Sequence, residues 1–181
     1  MSEIATPSQL RQSFLRRAFV TVPLIVLLGT ASGILSGSGS NNLWFQALVK
    51  PPSVPSGWVF GLVWTVLYVL MGLAVAMILH ARRARGRSIA MALFVTQLLL
   101  NLAWSPLFFG FHKIQLAAWW ILLMFVMAAA ATYAFWRIRR LAGWILLPYL
   151  VWLCFAGSLS YKIARLNPHG ARAAETHEIA L

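Results

Sequence analysis

Hydrophobic positions along the chain gather into five long runs, over residues 18–36, 57–79, 88–110, 114–136 and 141–161. No run carries an acidic or basic residue in its interior. A bilayer core about 30 Å thick needs roughly 20 apolar residues in a helix to cross it, and each run is close to that length. The pattern predicts an all-α membrane protein, a bundle of five transmembrane helices with a structured loop between the first and the second. Short connectors favour antiparallel neighbours in one bundle. Three parts follow: a basic tail over 1–17, the five-helix domain over 18–166, and a polar tail over 167–181. No run repeats another in sequence, which argues against the inverted-repeat transporter architecture.

The break between the first two runs is unlike the others. Residues 44–58 read WFQALVKPPSVPSGW, with Pro51, Pro52 and Pro55, one lysine and no helical or strand period. Proline fixes φ and removes a donor, so this loop is stiff and leaves fewer amides to satisfy. Irregular backbone near a membrane must be wetted or buried in protein. A loop of this kind can fold back over the mouth of the bundle as a lid, with Trp44 and Trp58 suited to the interface.

Composition agrees with the pattern. Of 181 residues 61% are hydrophobic, where soluble domains have roughly 45–50%, and mean hydropathy is +0.78. The formal charge of +12 comes from 15 Lys and Arg against three acids. These bases sit in short clusters between apolar runs, which is the distribution of topology signals and not of a nucleic-acid surface. Ten of them (Arg11, Arg16, Arg17, Arg82, Arg83, Arg85, Arg87, Arg137, Arg139, Arg140) fall on one side, and five (Lys50, Lys113, Lys162, Arg165, Arg172) on the other. The positive-inside rule then sets the N-terminus in the cytoplasm, with the proline-rich loop and the C-terminus outside. Arginines before the first run and small residues at 31–33 resemble a signal peptide, but the run is longer than a usual h-region and four more follow. An uncleaved anchor fits better. Helical spans point to the inner membrane of a bacterium.

Acids are as informative as bases. There is no aspartate, and Glu3, Glu175 and Glu178 all lie in the tails. Intramembrane acids that relay protons in coupled transporters are therefore missing, as are the paired carboxylates of glycoside hydrolases. Cys154 stands alone, so there is no disulfide or cysteine cluster. His80, His112, His169 and His177 show no metal-ligand spacing and read as solvated surface.

Candidate chemistry lies on helix faces. Gln97, Asn101, Trp104 and Phe108 recur at i, i+4, i+7 and i+11 and share one face. An unpaired buried amide costs about 1–3 kcal/mol, so Gln97 and Asn101 should face protein or a polar cavity. Interhelical hydrogen bonding and ligand contact both fit. Pro106, near the end of this helix, predicts a local kink. In the second run Gly61, Trp64, Tyr68 and Gly72 form a stripe; in the fifth, Pro148, Tyr149, Trp152 and Ala156 share a face. Trp64 and Trp152 lie well inside their spans, where each indole N–H needs a partner. Joined to the Gln97–Asn101 face, these rings suggest a pocket lined by π-faces and free of charge. It would suit a large, flat, mostly apolar ligand held by stacking and burial. Gly29, Gly33 and Gly37 repeat at four-residue spacing, which serves either packing within the bundle or dimerisation. Leu159, Tyr161 and Arg165 match a loose pattern proposed for cholesterol, though an interfacial tyrosine and a snorkelling arginine explain the same residues.

The chain resembles the TspO/MBR family of tryptophan-rich sensory and translocator proteins, once called peripheral-type benzodiazepine receptors. Trp44, Leu48, Lys50, Pro51 and Pro55 match the family's loop pattern, and Trp64 its second-helix tryptophan. Asn101, Trp104, Pro106, Phe108 and Phe109 match N-x-x-W-x-P-x-F-F; Pro148, Tyr149 and Trp152 match P-Y-x-x-W; residues 165–167 match R-L-N. The likeness covers residues 43–167, with the first helix fitting by position. Phe45 stands for the family's tyrosine, Gln46 where an acid is common, Pro52 for a loop tryptophan and Ser56 for a second proline.

The resemblance implies a homodimeric membrane sensor or regulator that binds tetrapyrroles such as protoporphyrin IX or haem, and also sterol-like and benzodiazepine-type ligands. It requires no cofactor and no metal. It assigns Trp64, Trp152, Asn101 and Tyr149 to the pocket and Trp44 and Pro51 to the covering loop, with Phe45 at the loop's tyrosine position; the helix-face reading adds Tyr68, Gln97, Trp104 and Phe108. Two further activities follow from the family: light-dependent porphyrin breakdown, for which Trp64 and Trp152 would be the electron donors, and passage of porphyrin or sterol across the bilayer.

Overall fold

The structure, a computed structural model, describes residues 7–81 and 84–168. Glu3, Arg82, Arg83, His169, Arg172, Glu175, His177 and Glu178 lie outside the described residues. Six α-helices follow one another: α1 (Pro7–Leu35), α2 (Leu43–Ala47), α3 (Gly57–His80), α4 (Arg87–Ser105), α5 (Ile114–Ile138) and α6 (Arg140–Leu166). A π turn, Pro106–Gly110, continues α4. Five helical segments are long and apolar enough to cross a membrane: α1, α3, α4 with its π turn, α5 and α6. The chain is an integral, multi-pass membrane protein.

Two helices outrun the apolar runs. α1 begins at Pro7, taking in Arg11, Arg16 and Arg17, and α6 continues through Lys162 and Arg165 to Leu166. Hydropathy ends where the bilayer ends, whereas backbone hydrogen bonding carries a helix into the interface. α5 and α6 are separated by Arg139 alone, in extended conformation.

Around the bundle the order is α1, α3, α6, α5, α4 and back to α1, and α3 barely touches α4 and α5. One end, here the basic end, carries the start of α1, residues 84–86 before α4, and Arg139. The other, the roofed end, carries the 36–56 loop, the π turn and the end of α6.

Glycines set the closest approach. A Cβ on Gly72 would lie 2.6 Å from Val22 Cα, so α1 and α3 cross backbone to backbone there. The buried Thr21 hydroxyl donates to Gly72 O at 2.8 Å across the same crossing. Gly29 lies flat against the Tyr68 ring and leaves no room for a methyl group. Gly29 therefore serves packing within the chain. Gly37 (φ +64°) is part of the turn after α1 and no longer shares a helical stripe with it.

Candidate functional site

Tyr68 from α3, Asn101 from α4 and Tyr149 from α6 meet at the centre of the bundle. The Tyr68 hydroxyl donates to Asn101 Oδ1 at 3.1 Å, and Asn101 Nδ2 donates to Tyr149 Oη at 3.1 Å. All three residues are buried. This chain joins helices that scarcely touch otherwise. It contains no charge, because no carboxylate occurs between residues 4 and 174.

Indole rings stand above it, toward the roofed end. Trp64 stacks on Tyr68 with ring centres 5.5 Å apart, and meets Tyr149 and Trp152 edge-on, each at 6.4 Å. Phe60 and Phe155 flank Trp152 at 5.4 and 5.2 Å. The two mid-span tryptophans thus turn toward each other inside the bundle and not into lipid. The Trp152 Nε1 is buried with no partner, and so is Gln97 Oε1, one turn below Asn101.

Trp104 and Phe108 continue the α4 face. Their rings stack at 5.1 Å with planes 10° apart, and the Trp104 indole donates to Ala117 O at 3.1 Å. Trp104 is therefore engaged with α5. Pro106, predicted to kink the helix, starts a π turn in which Phe111 N–H reaches back to Pro106 O at 2.8 Å. The wider turn advances Phe108 into the bundle, where it is 2% exposed.

The 44–58 loop folds over this end. Leu48 is buried against Phe108, Ile114, Leu159 and Ile163, with Trp44, Phe45 and Val54 around them. Contrary to the aperiodic reading of its sequence, the loop holds a one-turn helix, α2. Asn42 caps its start by accepting from Phe45 N–H at 2.9 Å. Lys50 caps its end, donating to Phe45 O, Gln46 O and Leu48 O at 2.7, 2.8 and 2.9 Å. Five residues have too few internal bonds to hold a helix alone; both stops are supplied by side chains. The ammonium also lies over the Phe45 ring at 5.0 Å, and burial lowers its pKa from the ordinary lysine value. Pro51 is half-buried beyond Lys50.

Asn167 latches the roof. Its amide accepts from Val49 N–H at 3.1 Å and donates to Val49 O at 3.0 Å, and also donates to Ile163 O at 2.8 Å. Helix-face reasoning did not select Asn167, because the residue lies past the apolar run and its partner is 118 positions away. His112 was also read differently. It is half-buried at φ 55° and stacks on Trp44 at 4.1 Å, so it belongs to the roof and not to solvated surface. His80 likewise accepts from Arg17 at 3.0 Å across the basic end.

Every predicted site residue thus lies either in the central chain and its indoles (Trp64, Tyr68, Gln97, Asn101, Tyr149, Trp152) or in the roof and its support (Trp44, Phe45, Pro51, Trp104, Phe108). Two grooves open elsewhere, on the outer surface. One, of about 730 Å³, runs between α5 and α6 and includes Trp119, Cys154, Tyr161 and Arg165. Arg165 donates to the Tyr161 hydroxyl at 3.1 Å, the arrangement of an interfacial pair. The other, of about 340 Å³, lies between α4 and α5 at the basic end.

The model of the TspO/MBR family matches residues 19–166. A tryptophan-rich protein TspO from Chlorobaculum tepidum is 36% identical over 126 residues, covering 69% of this chain and 80% of that protein. A tryptophan-rich sensory protein from Cereibacter sphaeroides is 36% identical over 68% of this chain and 77% of its own length. The translocator protein of Bos taurus is 36% identical over 80% of this chain and 86% of its own.

Proposed function

The chain belongs to the TspO/MBR family, and from that membership we propose that it is a membrane sensor or regulator that binds a tetrapyrrole, protoporphyrin IX or haem, beneath the 44–58 roof. What carries the reading is the cluster of Trp64, Tyr68, Tyr149 and Trp152 around an uncharged hydrogen-bond chain, with the Trp152 N–H buried and unpartnered. Buried donors are nearly always satisfied, so an orphan among π-faces favours a ligand that brings an acceptor. Burial of a macrocycle against these rings would contribute about 25 cal/mol per Å². Sterol-like and benzodiazepine-type molecules share the same flat, apolar chemistry. Leu48 and Phe108 close the mouth, so entry requires the roof to lift. Homodimerisation is part of this reading, as is a bacterial inner membrane with the basic end in the cytoplasm. The gathering of Arg17, Arg85, Arg137 and Arg139 at that end supports the orientation.

Titrating purified protein with protoporphyrin IX in the dark should give saturable quenching of tryptophan fluorescence. Trp152→Leu should weaken it about tenfold, while Trp119→Phe, on the outer surface, should leave affinity unchanged. Quenching that never saturates would remove the proposal. Illuminating the complex then separates a binder from an enzyme: bleaching of the porphyrin that slows in the Trp64→Phe plus Trp152→Phe variant marks photo-oxidation through these indoles.

A further inference from the structure

The groove at the basic end has features that the tetrapyrrole reading does not use. Its floor and walls are Ile89, Leu93, Ala130, Ala134 and Ile138, all from the facing sides of α4 and α5. Arg85 and Arg137 stand at its mouth, one from the turn before α4 and one from the last turn of α5. Both are exposed. Arg137 donates to the Tyr133 hydroxyl at 3.1 Å and lies 6.0 Å from that ring's centre, which holds its guanidinium over the groove. Gly86, in the left-handed region at φ 78°, starts α4 with no side-chain cap. The first turn of α4 therefore presents the positive end of its dipole to the same mouth.

Three positive elements thus converge on one apolar channel, and no described residue carries a carboxylate that could neutralise them. No carboxylate occurs from residue 4 to residue 174. A partner that suits the site brings an anionic group for its mouth and an apolar chain for its channel. Ile89 is 66% exposed and Tyr133 59%, and both belong to segments long and apolar enough to cross a membrane.

We propose that this groove is a binding site for an anionic phospholipid, its phosphate held between Arg85, Arg137 and the start of α4 and one acyl chain lying along Leu93, Ala130 and Ala134. Arginine matches a phosphate through two parallel N–H donors, and basic grooves between transmembrane helices on the cytoplasmic side suit such headgroups. A zwitterionic lipid brings its own cation to the same mouth and is disfavoured. The site is independent of the tetrapyrrole reading, since the two share no residue and lie at opposite ends of the bundle.

The full-length protein, purified in neutral detergent, is titrated with phosphatidylglycerol or with phosphatidylcholine of the same acyl chains, and bound lipid is counted by native mass spectrometry. Phosphatidylglycerol should be retained in clear preference, and the double variant Arg85→Gln, Arg137→Gln should bind it roughly thirty-fold more weakly. Removing two bases at the other end, by Lys162→Gln with Arg165→Gln, should change nothing. Ala134→Leu keeps both arginines but fills the channel, and should also weaken retention. Unchanged near-ultraviolet circular dichroism shows that each variant is folded. Equal retention of the two lipids by the unaltered protein overturns the proposal. So does undiminished phosphatidylglycerol binding in the double variant. Full competition by water-soluble glycerol phosphate, which would mean an anion site with no use for the channel, overturns it as well.

Discussion

Asn101 both accepts from Tyr68 and donates to Tyr149, so one amide ties α3 and α6 to α4. The primary amide suits the task because it carries a donor and an acceptor at once. A leucine of similar volume would leave two phenolic hydroxyls without partners inside the membrane. Asn101→Leu should lower stability by about 1–2 kcal/mol, read as a fall in the unfolding midpoint in detergent titrated with a denaturing surfactant. Tyr149→Phe strands only half of the amide and should cost less. If both variants match the unaltered protein, the central chain contributes nothing to holding the bundle. Gly29 belongs to the same argument, since the Tyr68 ring lies against it and reaches Asn101 only because no side chain stands between.

At the scale of elements, the roof is held by the side chains of Asn42, Lys50 and Asn167 and by the burial of Leu48. Lys50 ends α2 by taking three carbonyls, and Asn167 pairs with both backbone groups of Val49. Neither contact braces the bundle itself. Asn167→Ala should therefore leave the global unfolding midpoint nearly unchanged while backbone amides of residues 43–50 exchange faster, measured by hydrogen–deuterium exchange. If the roof gates the ligand, the same variant should bind protoporphyrin IX with a faster on-rate in stopped-flow quenching, by about fivefold for a loss of roughly 1 kcal/mol in the closed state. Slower exchange at 43–50 would contradict the latch.

For the whole molecule, charge asymmetry is the organising feature. If the basic end faces the cytoplasm as proposed, its arginine clusters are what direct insertion. Replacing Arg85, Arg137, Arg139 and Arg140 with glutamine should weaken the orientation signal. In cells carrying Ser53→Cys on a Cys154→Ser background, an impermeant maleimide should label the roof fully from outside. The four-arginine variant should give incomplete labelling, as a fraction of chains inserts inverted. Full labelling of both would show that the first helix alone decides orientation.

Spans, their number and their connectivity could be read from the sequence because hydropathy is local: a run of apolar residues long enough to cross a bilayer is a helix whatever packs beside it. The shared faces of Gln97, Asn101, Trp104 and Phe108 were legible for the same reason, since helical period is a property of one segment. What the sequence left open were relations between segments. That Asn101 reaches both Tyr68 and Tyr149, that Asn167 closes on Val49, and that Arg85 and Arg137 flank one groove depend on the order of helices around the bundle. The same holds for α2, a helix too short to form on its own, and for Gly29, whose hydrogen side chain matters only because a tyrosine from α3 fills the space. Local periodicity determined the elements, and close packing among distant segments decided which side chains meet.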